Sequence, residues 1–299
     1  MIMRIKDWLK DKISNKKIAL FTIVGLLIIL VVFLLIYAYN SKKKASGISK
    51  PEDDMILIPA GNFIMGSTEK DAMAGYEKCT VEEGNDCLVE DYFAEYPQRD
   101  VYIDNFYIDK KEVSNEDYNK FAEQTKRQKP FYWDDSNLNS LAQSVVGISW
   151  NDAKAYCEWV NKRLPTEVEW EKAARGTDGR IWPWGNNWDT KNSNHGTGGL
   201  PGYDSSDGYE YTSPVGIYLA DISPYGVLNM AGNVQEWVSG DFKAYSGNDK
   251  FLHKNFGRPF KVIRGGAYTY SEADDHTSSR SYDNPVINSN EDVGFRCAR

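Results

Sequence analysis

The chain has 299 residues, enough for one large domain or two small ones, and it carries 35 Lys and Arg residues against 43 Asp and Glu residues. The first 50 residues hold ten of the basic and two of the acidic residues, so residues 51–299 carry 25 basic and 41 acidic residues, a net charge of −16. A region this acidic repels the phosphate backbone of nucleic acids, so we expect no nucleic-acid partner. The same negative charge attracts divalent cations.

An apolar run of 22 uncharged residues occupies positions 18–39. As a helix it is long enough to cross the ~30 Å hydrocarbon layer of a membrane. A cleaved signal peptide and a buried core helix are the alternatives, but a signal peptide usually has a shorter apolar region, followed by a small-residue cleavage site. Six cations precede the run and three follow it closely, which favours a cytoplasmic N-terminus.

The sequence therefore predicts a single-pass membrane protein with its C-terminal domain in the periplasm or outside the cell. Its parts are a cytoplasmic basic tail (1–17), a transmembrane signal anchor (18–39), a polar linker (40–54) and one domain (55–299).

The first part of that domain shows strand patterns. Residues 55–66 predict a β-hairpin with its turn at Pro59–Gly61, and residues 101–109 alternate like a strand. Between them, residues 67–98 are polar and acidic and are interpreted as an insertion.

Three helix starts follow, at Ser114, Ser149 and Thr166, and Gly176 marks the end of the last helix. Residues 177–225 are rich in Gly, Asn, Asp and Pro, and ion binding is one reason for so long a loop in a compact domain. Because strands and helices do not alternate regularly, the predicted fold class is α+β.

Four motifs carry a family resemblance. They read KRLPTEVEWEKAARG at 162–176, GVLNMAGNVQEW at 226–237, VIRGGAY at 262–268 and VGFRCAR at 293–299. In this order they resemble the formylglycine-generating enzyme, or sulfatase-modifying factor, family over residues 55–299. The resemblance implies a C-type-lectin-like fold with many loops.

The catalytic members of that family have two cysteines after a Gly-Gly-Ser-Tyr segment, and these thiolates hold copper. Here Ala267 stands for the serine, and Tyr270 and Asp275 stand for the cysteines. A phenol and a carboxylate do not replace two thiolates for Cu(I). We therefore predict no copper and no thiol-dependent oxidation.

The four cysteines of the chain are Cys79, Cys87, Cys157 and Cys297. Export favours disulfides, and the sequence alone allows three pairings. The resemblance implies a disulfide between Cys157 and Cys297. We therefore predict that the remaining two cysteines, Cys79 and Cys87, form a second disulfide.

The resemblance also implies one or two structural calcium ions. One site would use the side chains of Asn229 and Glu236 with the carbonyls of Gly232 and Val234. The other would use the side chains of Asn194 and Asp207 with the carbonyls of His195 and Tyr209, and Asn192 is an alternative to Asn194. Calcium takes six to eight oxygen ligands, which these groups supply in part. The alternative is that Asn229 and Glu236 only satisfy backbone groups in a turn.

Two functions remain. The favoured one is a non-catalytic, calcium-stabilised domain that is tethered to a membrane and binds a protein, peptide or glycan partner in the cell envelope. The alternative is an oxidoreductase of the same superfamily with a different metal site, for which His276 beside Asp274 and Asp275 is the candidate. The other histidines, His195 and His253, show no metal-ligand spacing with it.

Overall fold

The computed structural model describes residues 30–31, 54–84, 87–197 and 203–299. The chain forms two compact units, residues 1–51 and residues 52–299. The predicted tail, anchor and linker lie outside the described residues, apart from Leu30, Val31 and Asp54. No helix in the described part of the chain is long and apolar enough to cross a membrane.

Two antiparallel strand pairs at the start of the second unit are successive pieces of one ladder. Strand β1 (Met55–Ile58) pairs with β4 (Phe106–Asp109), and β2 (Gly61–Met65) pairs with β3 (Arg99–Ile103) in a continuous register. The ladder is interrupted at Pro59, which has no N–H to donate to the opposite strand. The predicted hairpin is therefore wrong, because β1 and β2 do not pair with each other. The predicted strand at 101–109 is divided between β3 and β4.

The insertion at 67–98 is helical. It contains helix α1 (Glu69–Glu83), the short helix α2 (Val89–Tyr92) and a 3₁₀ turn (Phe93–Glu95). We call residues 69–95 the helical insertion. Its polar, acidic sequence has little helical periodicity, which is why the sequence predicted an insertion but not its helices.

The three predicted helix starts are confirmed. The helices are α3 (Asn115–Thr125), α4 (Trp150–Trp159) and α5 (Glu167–Arg175). In each, the hydroxyl of the predicted N-cap residue accepts a hydrogen bond from the backbone N–H three residues later. Thr166 and Glu169 complete a capping box, and the helix that they start ends at Gly176, as predicted.

A four-stranded sheet forms the C-terminal part of the domain. Its strands are β5 (Gln235–Asp241), β6 (Lys261–Arg264), β7 (Arg280–Asp283) and β8 (Val293–Gly294), in the order β7-β6-β5-β8, with β8 parallel to β5. Trp237 of β5 is fully buried in a core that also contains Cys157 and Cys297. Between α5 and β5 the described residues contain no helix or strand. The fold is α+β, as predicted.

Candidate functional site

The two positions at which the resembled family has cysteines lie on the segment after β6. We call residues 265–275 the vacated segment. Asp275 is fully buried, and its Oδ1 atom accepts a hydrogen bond from the backbone N–H of Ala267 at 3.2 Å. A Cβ atom on Gly266 would lie 1.6 Å from that oxygen, so the carboxyl group occupies its place only because residue 266 is glycine. Tyr270, the other position, is partly buried.

The Asp275 carboxyl is a poor substitute for a thiolate. Burial raises its pKa well above the ordinary value, and the neighbouring carboxylates of Asp274 and Asp221 raise the pKa further. Its Oδ2 atom has no hydrogen-bond partner in the described part of the chain. A buried group of this kind favours its neutral form, which is a hard and weak ligand rather than a soft one.

The helical insertion packs against the vacated segment. Ala273 belongs to a small buried cluster together with Ala72, Cys79 and Tyr92 of the insertion. Three polar side-chain pairs also join the two parts, namely Lys78 with Glu272, Tyr92 with Asp274 (2.8 Å) and Glu82 with Ser271 (2.7 Å). The segment is therefore covered on this side by elements of the chain itself.

All four cysteines are in disulfide bonds, in the predicted pairs Cys79–Cys87 and Cys157–Cys297. The chain has only these four cysteines. The first bond closes the end of α1 onto the start of α2, and the second joins α4 to the last residues of the chain across the core. With both bonds formed, the chain has no thiol.

His276 is paired rather than available. Its Nε2 atom lies 2.7 Å from Oε1 of Glu95, which is buried and also accepts a hydrogen bond from Ser67. Burial alone would lower the pKa of His276, but the Glu95 carboxylate outweighs it and raises this pKa above its ordinary value. Burial would raise the pKa of Glu95, and His276 instead holds that pKa at about 2. The pair is therefore an imidazolium and a carboxylate that hold the insertion to the residue directly after the vacated segment.

The first predicted calcium site contains one unpaired oxygen. Asn229 has a left-handed backbone (φ 55°), and its buried side chain donates from Nδ2 to Oε1 of Glu112 at 3.1 Å. The Asn229 Oδ1 atom and the Glu112 Oε2 atom are buried and have no hydrogen-bond partner in the described part of the chain. Gly232 and Val234 lie on the same buried turn. The Glu112 Oε2 atom lies 4.0 Å from Nη2 of Arg296, so the Asn229 Oδ1 atom is the unpaired oxygen that would suit a cation.

Glu236 of the same predicted site has a different partner. Its two carboxylate oxygens accept hydrogen bonds from Nε and Nη2 of Arg296 at 2.7–2.9 Å, and Oε2 also accepts from the indole of Trp170 at 2.8 Å. All three side chains are almost fully buried. A calcium ion at Glu236 would have to share this carboxylate with a guanidinium, so Asn229 fits a calcium ion better than Glu236 does.

The residues of the second predicted site lie together. The Asp207 carboxylate accepts hydrogen bonds from the backbone N–H groups of His195 at 2.7 Å and Tyr209 at 3.0 Å. Asn194 is buried, and its Oδ1 atom has no hydrogen-bond partner in the described ranges, although its amide nitrogen donates to two acceptors. The unpaired oxygen makes Asn194 a better ligand than the alternative, Asn192. Burial raises the pKa of Asp207, and a cation would oppose that rise.

Comparison with known proteins agrees with the fold and the motifs described above. The family model described as the sulfatase-modifying factor enzyme 1-like domain matches residues 41–299. The chain belongs to this family. It is 28% identical to the inactive C-alpha-formylglycine-generating enzyme 2 of Bos taurus, with 82% of this chain and 87% of that protein covered. It is 30% identical to the formylglycine-generating enzyme of Mus musculus, with 82% and 74% covered.

A solved structure shows the same fold. PvdO from Pseudomonas aeruginosa aligns with a TM-score of 0.62 at 24% identity, over 82% of this chain and 93% of that one. The two relatives compared above, from Bos taurus and Mus musculus, differ in their names: one is called inactive and the other is called an enzyme.

Three buried side chains of this family member were not predicted as parts of the site: Glu112, Asp221 and Arg296. Asp221 accepts hydrogen bonds from three consecutive backbone N–H groups of the turn at 230–232, at 3.1–3.4 Å. Burial raises the pKa of Asp221 to about 7, although those N–H groups lower it. Arg296 lies within a recognised motif, but nothing in the sequence of Glu112 or Asp221 distinguishes them from surface acids.

Proposed function

We propose that this member of the sulfatase-modifying factor family is a non-catalytic domain, stabilised by calcium, that binds a protein, peptide or glycan partner in the cell envelope. The observation that carries this proposal is the absence of any thiol. Tyr270 and Asp275 occupy the positions of the family's cysteines, and every cysteine of the chain is in a disulfide. Copper held by two thiolates has no ligands here.

The calcium part of the proposal is supported by unpaired oxygens in the loop before β5. Asn194 and Asn229 each have a buried Oδ1 atom without a hydrogen-bond partner in the described residues, and leaving such a group unpaired costs about 1–3 kcal/mol. Asn194, Asp207 and backbone carbonyls would hold one ion, and Asn229 with neighbouring carbonyls would hold another. Bound calcium would neutralise buried carboxylates and connect parts of a loop that has no regular secondary structure.

The location is proposed from the sequence. The apolar run at 18–39 supports a single transmembrane anchor, and the distribution of cations supports a cytoplasmic N-terminus with the domain outside. The net charge of −16 on residues 51–299 supports a partner other than nucleic acid.

The oxidoreductase alternative has less support. The Nε2 atom of His276 is engaged by Glu95, and no group of three or more His, Cys, Asp or Glu residues in the described ranges is arranged to hold a metal ion. No observation therefore favours this reading over the binding domain.

A peptide oxidation assay tests the non-catalytic proposal. The purified full-length protein is incubated with copper, oxygen, a reductant and a cysteine-containing peptide, and the peptide mass is followed. We expect no conversion of cysteine to an aldehyde, because the chain has no thiol pair to bind the copper. The mouse formylglycine-generating enzyme in the same buffer is the positive control. Copper-dependent conversion by this chain would refute the proposal.

A further inference from the structure

A cavity of about 460 Å³ lies between helix α1 and the loop that follows α5. Ala74 lines it from the helix, and Ile181 and Trp182 line it from the loop. Glu272 and Ala273 of the vacated segment also line it, but neither of the two vacated positions does. Its volume is typical of a pocket that holds a small ligand. The cavity is therefore distinct from the positions at which the family's catalytic members have their cysteines.

The charged side chains of the lining are paired within the chain itself. The pairs are Lys78 with Glu272, Arg175 with Glu171 at 2.8 Å and His276 with Glu95 at 2.7 Å. Asp71 is the remaining charged residue of the lining, and its Oδ2 atom accepts a hydrogen bond from the Thr68 hydroxyl at 2.6 Å at the exposed start of α1. A charged ligand would lose its hydration inside the cavity without gaining a free counter-charge. The lining therefore favours a ligand without net charge.

Three polar side chains of the lining keep hydrogen-bonding groups free. The Nε2 atom of His276 is engaged by Glu95, and its Nδ1 atom has no hydrogen-bond partner in the described part of the chain. The Oδ1 atom of Asn186 accepts from the backbone N–H of Ile181 at 2.9 Å, and its Nδ2 group has no partner among the described residues. Gln98 is exposed, and its side-chain amide makes no hydrogen bond within the described ranges. The lining thus offers a ligand both donors and acceptors.

Another part of the wall is apolar and preformed. The ring of Trp182 packs against Trp184 and Trp188, with 6.3 and 5.4 Å between the ring centroids. Its indole N–H is buried and has no acceptor in the described part of the chain, a cost that a ligand oxygen beside it would offset. Ile181 is 44% exposed, so the core does not use its side chain fully. A preformed wall costs little ordering entropy when a ligand binds.

A saccharide unit matches both kinds of surface. Each of its hydroxyl groups can donate and accept hydrogen bonds, and an acetamido group can do the same. The C–H groups on the faces of its ring are apolar, and a neutral sugar carries no charge that the lining would have to pair. A metal ion fits less well, because the described residues contain no group of three or more His, Cys, Asp or Glu side chains arranged to hold one.

We propose that this cavity binds a neutral saccharide unit of a glycan partner. Gln98, Asn186 and His276 would bind its hydroxyl or acetamido groups, and Ile181 and Trp182 would contact an apolar face of its ring. The inference rests on the proposed function, which allows a protein, peptide or glycan partner, and it selects the glycan. It places recognition between α1 and the loop after α5 rather than at the vacated positions.

The test is a titration of the full-length protein with single sugars, followed by saturation-transfer difference NMR. N-acetyl-D-glucosamine, D-glucose and D-galactose are the neutral probes, and D-glucuronate and, at pH 6, the ammonium form of D-glucosamine are the charged ones. The protein is kept in a detergent without a sugar headgroup, so that the detergent does not compete. We expect saturable binding of at least one neutral sugar, at least tenfold tighter than the binding of either charged sugar. Binding of none of the neutral sugars, or comparable or tighter binding of a charged one, would overturn the inference.

A tryptophan in place of Ala74 tests whether the sugar binds in this cavity. Ala74→Trp introduces a large ring into the lining from an exposed position on α1, so the core is not altered. We expect at least tenfold weaker binding of the neutral sugar that bound most tightly. Glu77→Trp is the matched control, because Glu77 is exposed on the same helix and does not line the cavity. Unchanged binding in Ala74→Trp, or an equal loss in Glu77→Trp, would overturn the inference. None of these results would alter the outcome of the peptide oxidation assay, so the two proposals fail separately.

Discussion

Replacing Glu236 with glutamine is expected to lower the free energy of unfolding by about 3–5 kcal/mol, which is the usual effect of removing one partner from a buried ion pair. Arg296 is fully buried, and Glu236 is the residue whose two oxygens face its guanidinium at 2.7–2.9 Å. The glutamine side chain keeps the shape and one acceptor oxygen but removes the carboxylate closest to the guanidinium, and the Glu112 carboxylate that remains lies farther away, at 4.0 Å. Urea unfolding followed by tryptophan fluorescence measures the difference.

The same substitution at an exposed site is the matched control. Glu158 pairs with Lys154 on the surface of α4, and both side chains are about half exposed. Glu158→Gln should therefore cost about 0.5 kcal/mol or less. Both variants are unfolded with calcium present and again with a chelator. Because Arg296 belongs to the chain itself, the loss at Glu236 should persist in chelator. A loss seen only with calcium would mean that Glu236 acts mainly as a calcium ligand, contrary to the structure.

Asp275→Asn is expected to stabilise the protein at neutral pH by about 1–3 kcal/mol, because the wild-type carboxyl group must take up a proton to be buried in its neutral form and asparagine need not. Burial raises the pKa of Asp275 far above the value of about 4 that it has in the unfolded chain. Folding therefore takes up a proton above pH 4, and the contribution of Asp275 to stability falls as the pH rises. Asparagine does not titrate, so the advantage of the variant should be near zero at pH 4 and grow towards pH 8.

The control for this pH profile is Asp241→Asn. Hydrogen bonds from Lys261 at 2.7 Å and Lys243 at 3.1 Å hold the pKa of Asp241 below its ordinary value. A carboxyl group of this kind stabilises the fold above its ordinary pKa and loses that contribution as the pH falls. Asp241→Asn should therefore give no gain between pH 5 and pH 8. The free energies of unfolding of the wild type and both variants are measured from pH 4 to pH 8 and compared at each pH. A constant or shrinking gap for Asp275→Asn would contradict a neutral, buried carboxyl group.

The helices that the sequence predicted correctly have local signals. Ser114, Ser149 and Thr166 each cap a helix through a residue only three positions away, and such signals are visible without the fold. The prediction of a hairpin at 55–66 was wrong. The hydrophobic pattern correctly indicated two strands, but the strands with which they pair are distant in the sequence. The two strands pair instead with residues 99–109, and Pro59 interrupts the ladder where a turn was expected.

The candidate site was likewise predicted only in part from the sequence. The family resemblance located Asn229, which lies within one of its motifs, and Asp207 and the two vacated positions, which lie between motifs. The resemblance did not show that Glu236 pairs with Arg296, 60 positions away, or that the Glu112 carboxylate accepts a hydrogen bond from Asn229, 117 positions away. Such contacts depend on the packing of distant segments, which no local pattern encodes. The burial of Asp275 was not predicted either, and it depends on Gly266, which has no side chain in the place that the carboxyl group occupies.

The most direct test of the central claim is the metal content of the purified full-length protein, by elemental analysis beside native mass spectrometry. A non-catalytic domain stabilised by calcium predicts one or two calcium ions per chain and no stoichiometric copper or iron. One copper or iron per chain would contradict it and would make Tyr270, Asp275 and His276 the first residues to replace. A protein that contains no calcium, even after purification in calcium buffer, would contradict the role of Asn194 and Asn229.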